Sequence, residues 1–231
     1  MELWNGFQIE RFSFEGSEAL LVLPAGGPAH GRLVLKAEHW DAFTDTEVAL
    51  LRKGFHLCFI RNADCWGTDK VIDKQARFVD FLITKYRFQR KVAIVGMSSG
   101  GMIGIRFAVK YPQTVSSLYL DAPLLDGRTI GHRQSQEDLL KTLGLEQVSQ
   151  LDHWQGMPLF LIPELISLAI PTVVVAGDSD TVVPWEQNGA LLESAYRRAG
   201  MDLPVFLKSG CGHHPHGLDD VTPVVDFIMK H

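Results

Sequence analysis

Ser98 stands in the run Gly96-Met97-Ser98-Ser99-Gly100, between the apolar stretch Lys91-Val92-Ala93-Ile94-Val95 and a helix-patterned stretch over residues 100–111. A serine at a sharp strand-to-helix turn is lifted clear of the sheet. Its hydroxyl is then free to attack a carbonyl, and the next backbone N–H points at the oxyanion that forms. So tight a turn needs small residues two before and two after the nucleophile, and Gly96 and Gly100 occupy those positions. Ser99 has Met97 two residues back, so the nucleophile is Ser98. The Ser99 N–H, close to a helix N-terminus, becomes an oxyanion donor. A serine here also argues against chemistry that needs an Asp or Cys nucleophile.

The hydroxyl needs a base, and the base needs a carboxylate to set its tautomer and to stabilise the imidazolium formed during attack. Two downstream segments offer them. Gly177-Asp178-Ser179-Asp180-Thr181-Val182-Val183-Pro184 closes an apolar run over 172–176, and position alone leaves both Asp178 and Asp180 open. Gly212-His213-His214-Pro215-His216-Gly217 lies between the last apolar run and the last helical stretch. Three histidines within four residues raise a metal as well. No cluster of Cys or carboxylates at familiar spacing completes such a set, so neither metal nor cofactor is expected.

Elements that could carry these residues are legible around them. Residues 6–14 and 19–23 look like a hairpin turning at Glu15, Gly16 and Ser17, followed by a Pro-Ala-Gly-Gly-Pro turn around Gly26 and Gly27. Short apolar runs at 33–36, 55–60, 92–95, 118–120, 172–176 and 205–207 then alternate with helical periodicity at 46–53, 70–86, 100–111, 185–199 and 221–230. That alternation predicts βα units, about eight strands in a mostly parallel sheet, and helices on both faces. Residues 126–170 interrupt the rhythm, with helical candidates at 136–143 and 160–168. A connection of that length is expected to be a small cap inserted between the sixth and seventh strands of one domain spanning 1–231.

Composition narrows the class further. With 231 residues, 46% hydrophobic and 21% charged, the chain is long enough to bury a real core. Its net charge of −5 and the lack of any run of five or six like charges exclude a nucleic-acid arm. No 18 apolar residues run uninterrupted: even 159–175 is cut by Pro163, Glu164, Ser167 and Pro171, so no membrane span is expected. The opening residues lack a basic leader and continuous apolar segment. Cys58, Cys65 and Cys211 are odd in number and widely spaced, as suits reduced thiols and a cytoplasmic setting.

From Leu33 onward, about four fifths of its length, the chain resembles the α/β-hydrolase superfamily. It is most similar to compact prolyl-oligopeptidase-like esterases, whose last loop reads like Gly-His-His-Pro-His-Gly and continues as Asp-x-Thr-Pro-Val-Val-Asp-Phe-Ile. The resemblance implies the α/β-hydrolase fold and a triad in the order Ser98, Asp180, His213. Asp180 is implied by the spacing Gly, two residues, Asp, then Val-Val-Pro, and His213 by the Gly-x-Gly-His loop; His214 and His216 then line or support the pocket. The second oxyanion donor falls on the Glu38 N–H, where Lys36-Ala37 replaces the family's usual His-Gly, and His39 and Trp40 become pocket candidates. The implied function is a serine carboxylesterase that cleaves a small or carbohydrate-linked O-acyl ester. The same triad serves thioesterases, amidases and peptidases, and a non-catalytic ligand-binding homologue is the remaining class.

Overall fold

Tight two-residue turns open the chain. In the computed structural model, which describes residues 2–25 and 31–231, β2 (Phe7–Phe14) returns as β3 (Ser17–Val22) through Glu15 and Gly16, both at positive φ (46° and 76°). This is the turn geometry that matches the twist of paired strands. Asn5 and Gly6, at φ 48° and 83°, repeat it and pair β1 (Leu3–Trp4) with β2. Among the described residues the sheet therefore has nine strands rather than eight. β1 has only two residues, too few to show a period, although Asn-Gly is itself a hairpin signal. The turn expected around Gly26 and Gly27 lies outside the described residues.

Six strands run parallel: β4 (Leu33–Lys36), β5 (His56–Ile60), β6 (Val92–Met97), β7 (Val115–Asp121), β8 (Thr172–Gly177) and β9 (Val205–Lys208). The spatial order is β1-β2-β3-β5-β4-β6-β7-β8-β9, with β3 antiparallel to β5. Every residue of β4, β5, β6 and β8 is buried, as parallel strands covered on both faces require. α2 (Asp69–Tyr86), α3 (Ser99–Lys110), α5 (Pro158–Ser167) and α6 (Gly189–Arg198) cover one face through residues such as Phe78, Ile103, Leu165 and Tyr196. α1 (Asp45–Arg52) and α7 (Thr222–Lys230) cover the other through Leu50, Leu51, Val224 and Ile228. Each such side chain contributes roughly 1.5–3 kcal/mol on burial.

The helix expected over 185–199 is divided. A short 3-10 turn, Trp185–Gln187, precedes α6, and Asn188 between them has φ −132° and ψ −91°, outside helical space. Within 126–170, α4 (Arg133–Leu143) joins a separate cluster with Trp66, Met102, Leu124, Leu151, Met157 and Val183, beyond the C-terminal ends of the strands. α5 instead packs on α3 and α6 in the core against the sheet. No helix among the described residues is long and apolar enough to cross a membrane.

Candidate active site

β6, the strand between β4 and β7, delivers Ser98 at its C-terminal end and hands the chain to α3. Ser98 has φ 53° and ψ −121°, a conformation that costs a non-glycine residue energy and persists only where its surroundings impose it. Here the Ser98 N–H donates to the Asp121 carbonyl (2.8 Å), while its own carbonyl accepts from the N–H groups of Gly101 (2.9 Å) and Leu124 (3.0 Å). A Cβ at Gly96 would lie 2.7 Å from the Gly100 oxygen, and one at Gly101 would lie 2.6 Å from Pro123 Cβ. At Gly100 the nearest atom, Glu38 Cβ, would be 3.3 Å away. The strict pair is thus Gly96 and Gly101. Spacing alone points to Gly100, because the demand on Gly101 comes from Pro123, in a loop remote along the chain.

His213, in the loop after β9, reaches both neighbours. Its Nε2 lies 3.0 Å from Ser98 Oγ and its Nδ1 lies 2.6 Å from Asp180 Oδ2. Asp180 is 6% exposed, and its second oxygen accepts from the N–H groups of Val182 and Val183, both at 2.8 Å. Burial acts to raise its pKa. The His213 hydrogen bond, with those from the Val183 and Val182 backbone, outweighs burial and holds the carboxyl below its ordinary value. Asp178 is exposed and bonded to the Ser179 hydroxyl (2.9 Å) and the Gly210 N–H (2.7 Å), so it braces a turn. Ser98, Asp180 and His213 are therefore together, and Asp178 is apart from them.

Among the described residues, neither the Ser99 nor the Glu38 backbone N–H has a hydrogen-bond acceptor. The two turns adjoin, since a Cβ at Gly100 would lie 3.5 Å from the Glu38 nitrogen. The Glu38 carboxyl accepts from Asn62 Nδ2 (2.7 Å) and the His39 N–H (3.2 Å). Burial raises its pKa more than those bonds lower it. Lys36, which stands where the family has histidine, is buried in an ion pair with Glu47 and also donates to the Ala42 carbonyl (3.2 Å). Trp40 packs on Trp4 and Phe59, with ring centroids 4.9 and 5.5 Å away.

His39 lies beside the turn that carries Ser98, its Nε2 3.0 Å from Ser99 Oγ. Burial, then the charge of Lys36 and the neighbouring histidines, lower its pKa from 6.5 to about 4. The folded state therefore keeps His39 neutral while the unfolded chain takes up a proton below pH 6.5. Stability is full above 6.5 and declines as pH falls toward 4, by on the order of 3 kcal/mol. Urea midpoints at pH 7 and pH 5 are expected to differ less in His39→Gln than in wild type; equal differences would remove His39 as the source.

Two residues that the sequence did not single out complete the surroundings. Asp121, at the end of β7 and 1% exposed, accepts from His216 Nδ1 (2.9 Å), the Gly217 N–H (2.6 Å) and the Tyr119 hydroxyl (2.6 Å). Its only sequence signal is a carboxylate closing a buried strand. His214 stacks on Phe43 at 5.4 Å, and the rings of His213, His214 and His216 stand edge to face, 4.7–5.0 Å apart. Asn188 accepts from the N–H groups of Leu125 (2.8 Å) and Asp126 (3.0 Å) and donates to Thr129 Oγ1 and the Pro184 carbonyl, both at 3.0 Å. The Gly131 N–H adds a bond to the Val182 carbonyl (2.9 Å). The segment leading to α4 is thereby fastened to the loop that carries Asp180.

Residues 61–143 match the family model described as the alpha/beta hydrolase fold. The chain is an α/β-hydrolase-fold protein. Among solved structures of this fold, a provisionally named dipeptidyl aminopeptidase IV of Bacteroides ovatus superposes with TM-score 0.77 at 14% identity, over 97% of this chain and 36% of that one. A puromycin-hydrolyzing peptidase of Mycobacterium tuberculosis gives TM-score 0.72 at 15% identity, over 96% and 37%. A Bacillus subtilis (strain 168) protein, named provisionally as a 2-succinyl-6-hydroxy-2,4-cyclohexadiene-1-carboxylate synthase, is 32% identical over 77 residues. That match covers 30% of this α/β-hydrolase-fold chain and 27% of the relative, so the chain spans between about a quarter and just over a third of these proteins.

Proposed function

We propose that the protein is a serine hydrolase acting on a carboxylic ester, either a small one or an O-acyl group carried on a carbohydrate. The observation that carries the reading is the hydrogen-bonded chain from Ser98 Oγ through His213 to Asp180, set at a strand-to-helix turn. Ser98 attacks the ester carbonyl as His213 Nε2 takes its proton, and the N–H groups of Ser99 and Glu38 receive the oxyanion. Collapse of the tetrahedral intermediate expels the alcohol, protonated by His213, and leaves an acyl-enzyme. Water, with His213 again as base, releases the acid and restores the serine. Asp180 stays ionised throughout, which agrees with its lowered pKa. The bound segment between β7 and α4 would read the leaving group. We also read 1–231 as one domain, with the cap expected over 126–170 formed by the part ahead of α5, which itself packs in the core, and the setting as cytoplasmic.

A peptidase or amidase is the second reading, favoured by the likeness of the fold to two proteins whose names describe peptidases. Hydrolysis of p-nitrophenyl esters from acetate to octanoate, beside aminoacyl p-nitroanilides, separates the two. Ester turnover is expected from wild type and its loss from Ser98→Ala. Anilide turnover alone would select the second reading, and turnover surviving in Ser98→Ala would overturn both.

A further inference from the structure

We propose that His213, His214 and His216 form a binding site for a divalent transition-metal ion of the zinc type, and that its occupancy removes the base from Ser98. The inference rests on the assignment of His213 as that base. One imidazole nitrogen from each of the three lies within 4.8 Å of the other two. Nitrogens bound to one tetrahedral zinc lie roughly 3.4 Å apart, a change that modest side-chain rotation supplies, His214 being exposed. The rings already stand close together, with centroids 4.7, 4.9 and 5.0 Å apart and planes 67–79° from one another. Rings around one tetrahedral ion would have centroids roughly 5 Å apart.

The hydrogen bonds favour a metal more than the spacing does. Histidine ligands to a metal characteristically donate their other ring N–H to a carboxylate, which sets the tautomer and strengthens the ligating nitrogen. Two of the three histidines are built this way: His213 Nδ1 faces Asp180 and His216 Nδ1 faces Asp121. The Nε2 of His216 has no hydrogen bond among the described residues, and that of His213 meets only Ser98 Oγ, 3.0 Å away, which an ion would displace. The two carboxylates also place two negative charges behind the cation. Imidazole donors suit zinc, copper and nickel over magnesium or calcium. The lone pair that binds the ion at His213 is the one that accepts the Ser98 proton, so the two uses exclude each other.

The test uses tag-free protein dialysed against chelator. Zinc chloride is titrated calorimetrically into wild type, Ser98→Ala and His214→Ala. In parallel, p-nitrophenyl ester hydrolysis is followed against zinc, each protein compared with its own rate in chelator. Wild type and Ser98→Ala are each expected to take up one zinc per chain. The wild-type rate should fall in step with occupancy and recover with chelator, and in His214→Ala uptake should weaken at least tenfold, as should inhibition wherever its rate is measurable. No saturable uptake, or unchanged affinity in His214→Ala, would overturn the site and mark an adventitious ion only. Uptake without loss of rate would overturn the inhibition. Uptake that depends on His214, in a metal-free protein that turns over no ester or anilide, would sustain the site while overturning the hydrolase reading.

Discussion

Asp180→Asn is expected to lower kcat by about 10⁴-fold at neutral pH, with KM little changed. The cause is the tautomer rather than the loss of a charge alone. Asp180 Oδ1 is held by the N–H groups of Val182 and Val183, both at 2.8 Å. Those donors will keep the amide oxygen of asparagine in the same place, which turns the amide NH₂ toward His213 Nδ1. Facing a donor, His213 must present its lone pair at Nδ1 and carry its proton on Nε2, the nitrogen 3.0 Å from Ser98 Oγ. A protonated Nε2 cannot accept the serine proton. Asp178→Asn, at an exposed turn bonded to Ser179 and Gly210, should leave the rate unchanged. Steady-state kinetics on one ester decide the matter: equal losses in both variants, or a loss confined to Asp178→Asn, would overturn the assignment of the acid.

Asp121→Ala is expected to be among the most destabilising single changes, at about 3–5 kcal/mol, because one carboxylate satisfies three donors in a closed site. Its loss leaves His216 Nδ1, the Gly217 N–H and the Tyr119 hydroxyl without an acceptor, and each buried orphan costs about 1–3 kcal/mol before the structure relaxes. Burial pushes the Asp121 pKa up, but the bond and charge of His216, with Tyr119 and Gly217, bring it below the ordinary 3.8. A carboxyl lowered in the folded state contributes stability that is present above pH 3.8 and disappears as pH falls through the folded value. Urea unfolding should therefore show a lower midpoint for the variant at pH 7, and a smaller further drop than wild type when the pH is taken from 5 to 3. A midpoint equal to that of wild type at pH 7 would mean that the three donors find other acceptors.

The parts of the site that sequence disclosed are those whose cause is local. The turn at Ser98 was readable because a strand period gives way to a helical one across Gly96 and Gly100, and the parallel strands because each is a short apolar run between polar stretches. Asp180 was not separable from Asp178 by position, since two residues of one turn differ only in which faces a loop 33 residues further on. The resemblance to a family supplied that choice. Gly101 and Asp121 were illegible for the same reason: Pro123 constrains the first only after the turn closes, and two of the three donors to the second are 95 and 96 residues away. Asn188 read as part of a continuous helix because its side chain looked like any polar residue on an exposed face. Its three hydrogen bonds to residues 125, 126 and 129 exist only once β7 and β8 lie side by side.

The hydrogen bond between Ser98 and His213 spans 115 positions in the chain and joins the centre of the sheet to the loop beyond its last strand. Synthesis from the N-terminus therefore makes the serine long before it makes the base, and contacts so remote in sequence form late. A ribosome-bound chain that has not yet emerged past β9 carries a serine no more reactive than an ordinary alcohol. Under the proposed function, the growing polypeptide is in this way kept from acylating itself or consuming esters before its fold is complete. It also makes turnover a reporter of folding: a refolding experiment scored by ester cleavage would register only molecules in which β8 and β9 have docked, however much helix and sheet had already formed.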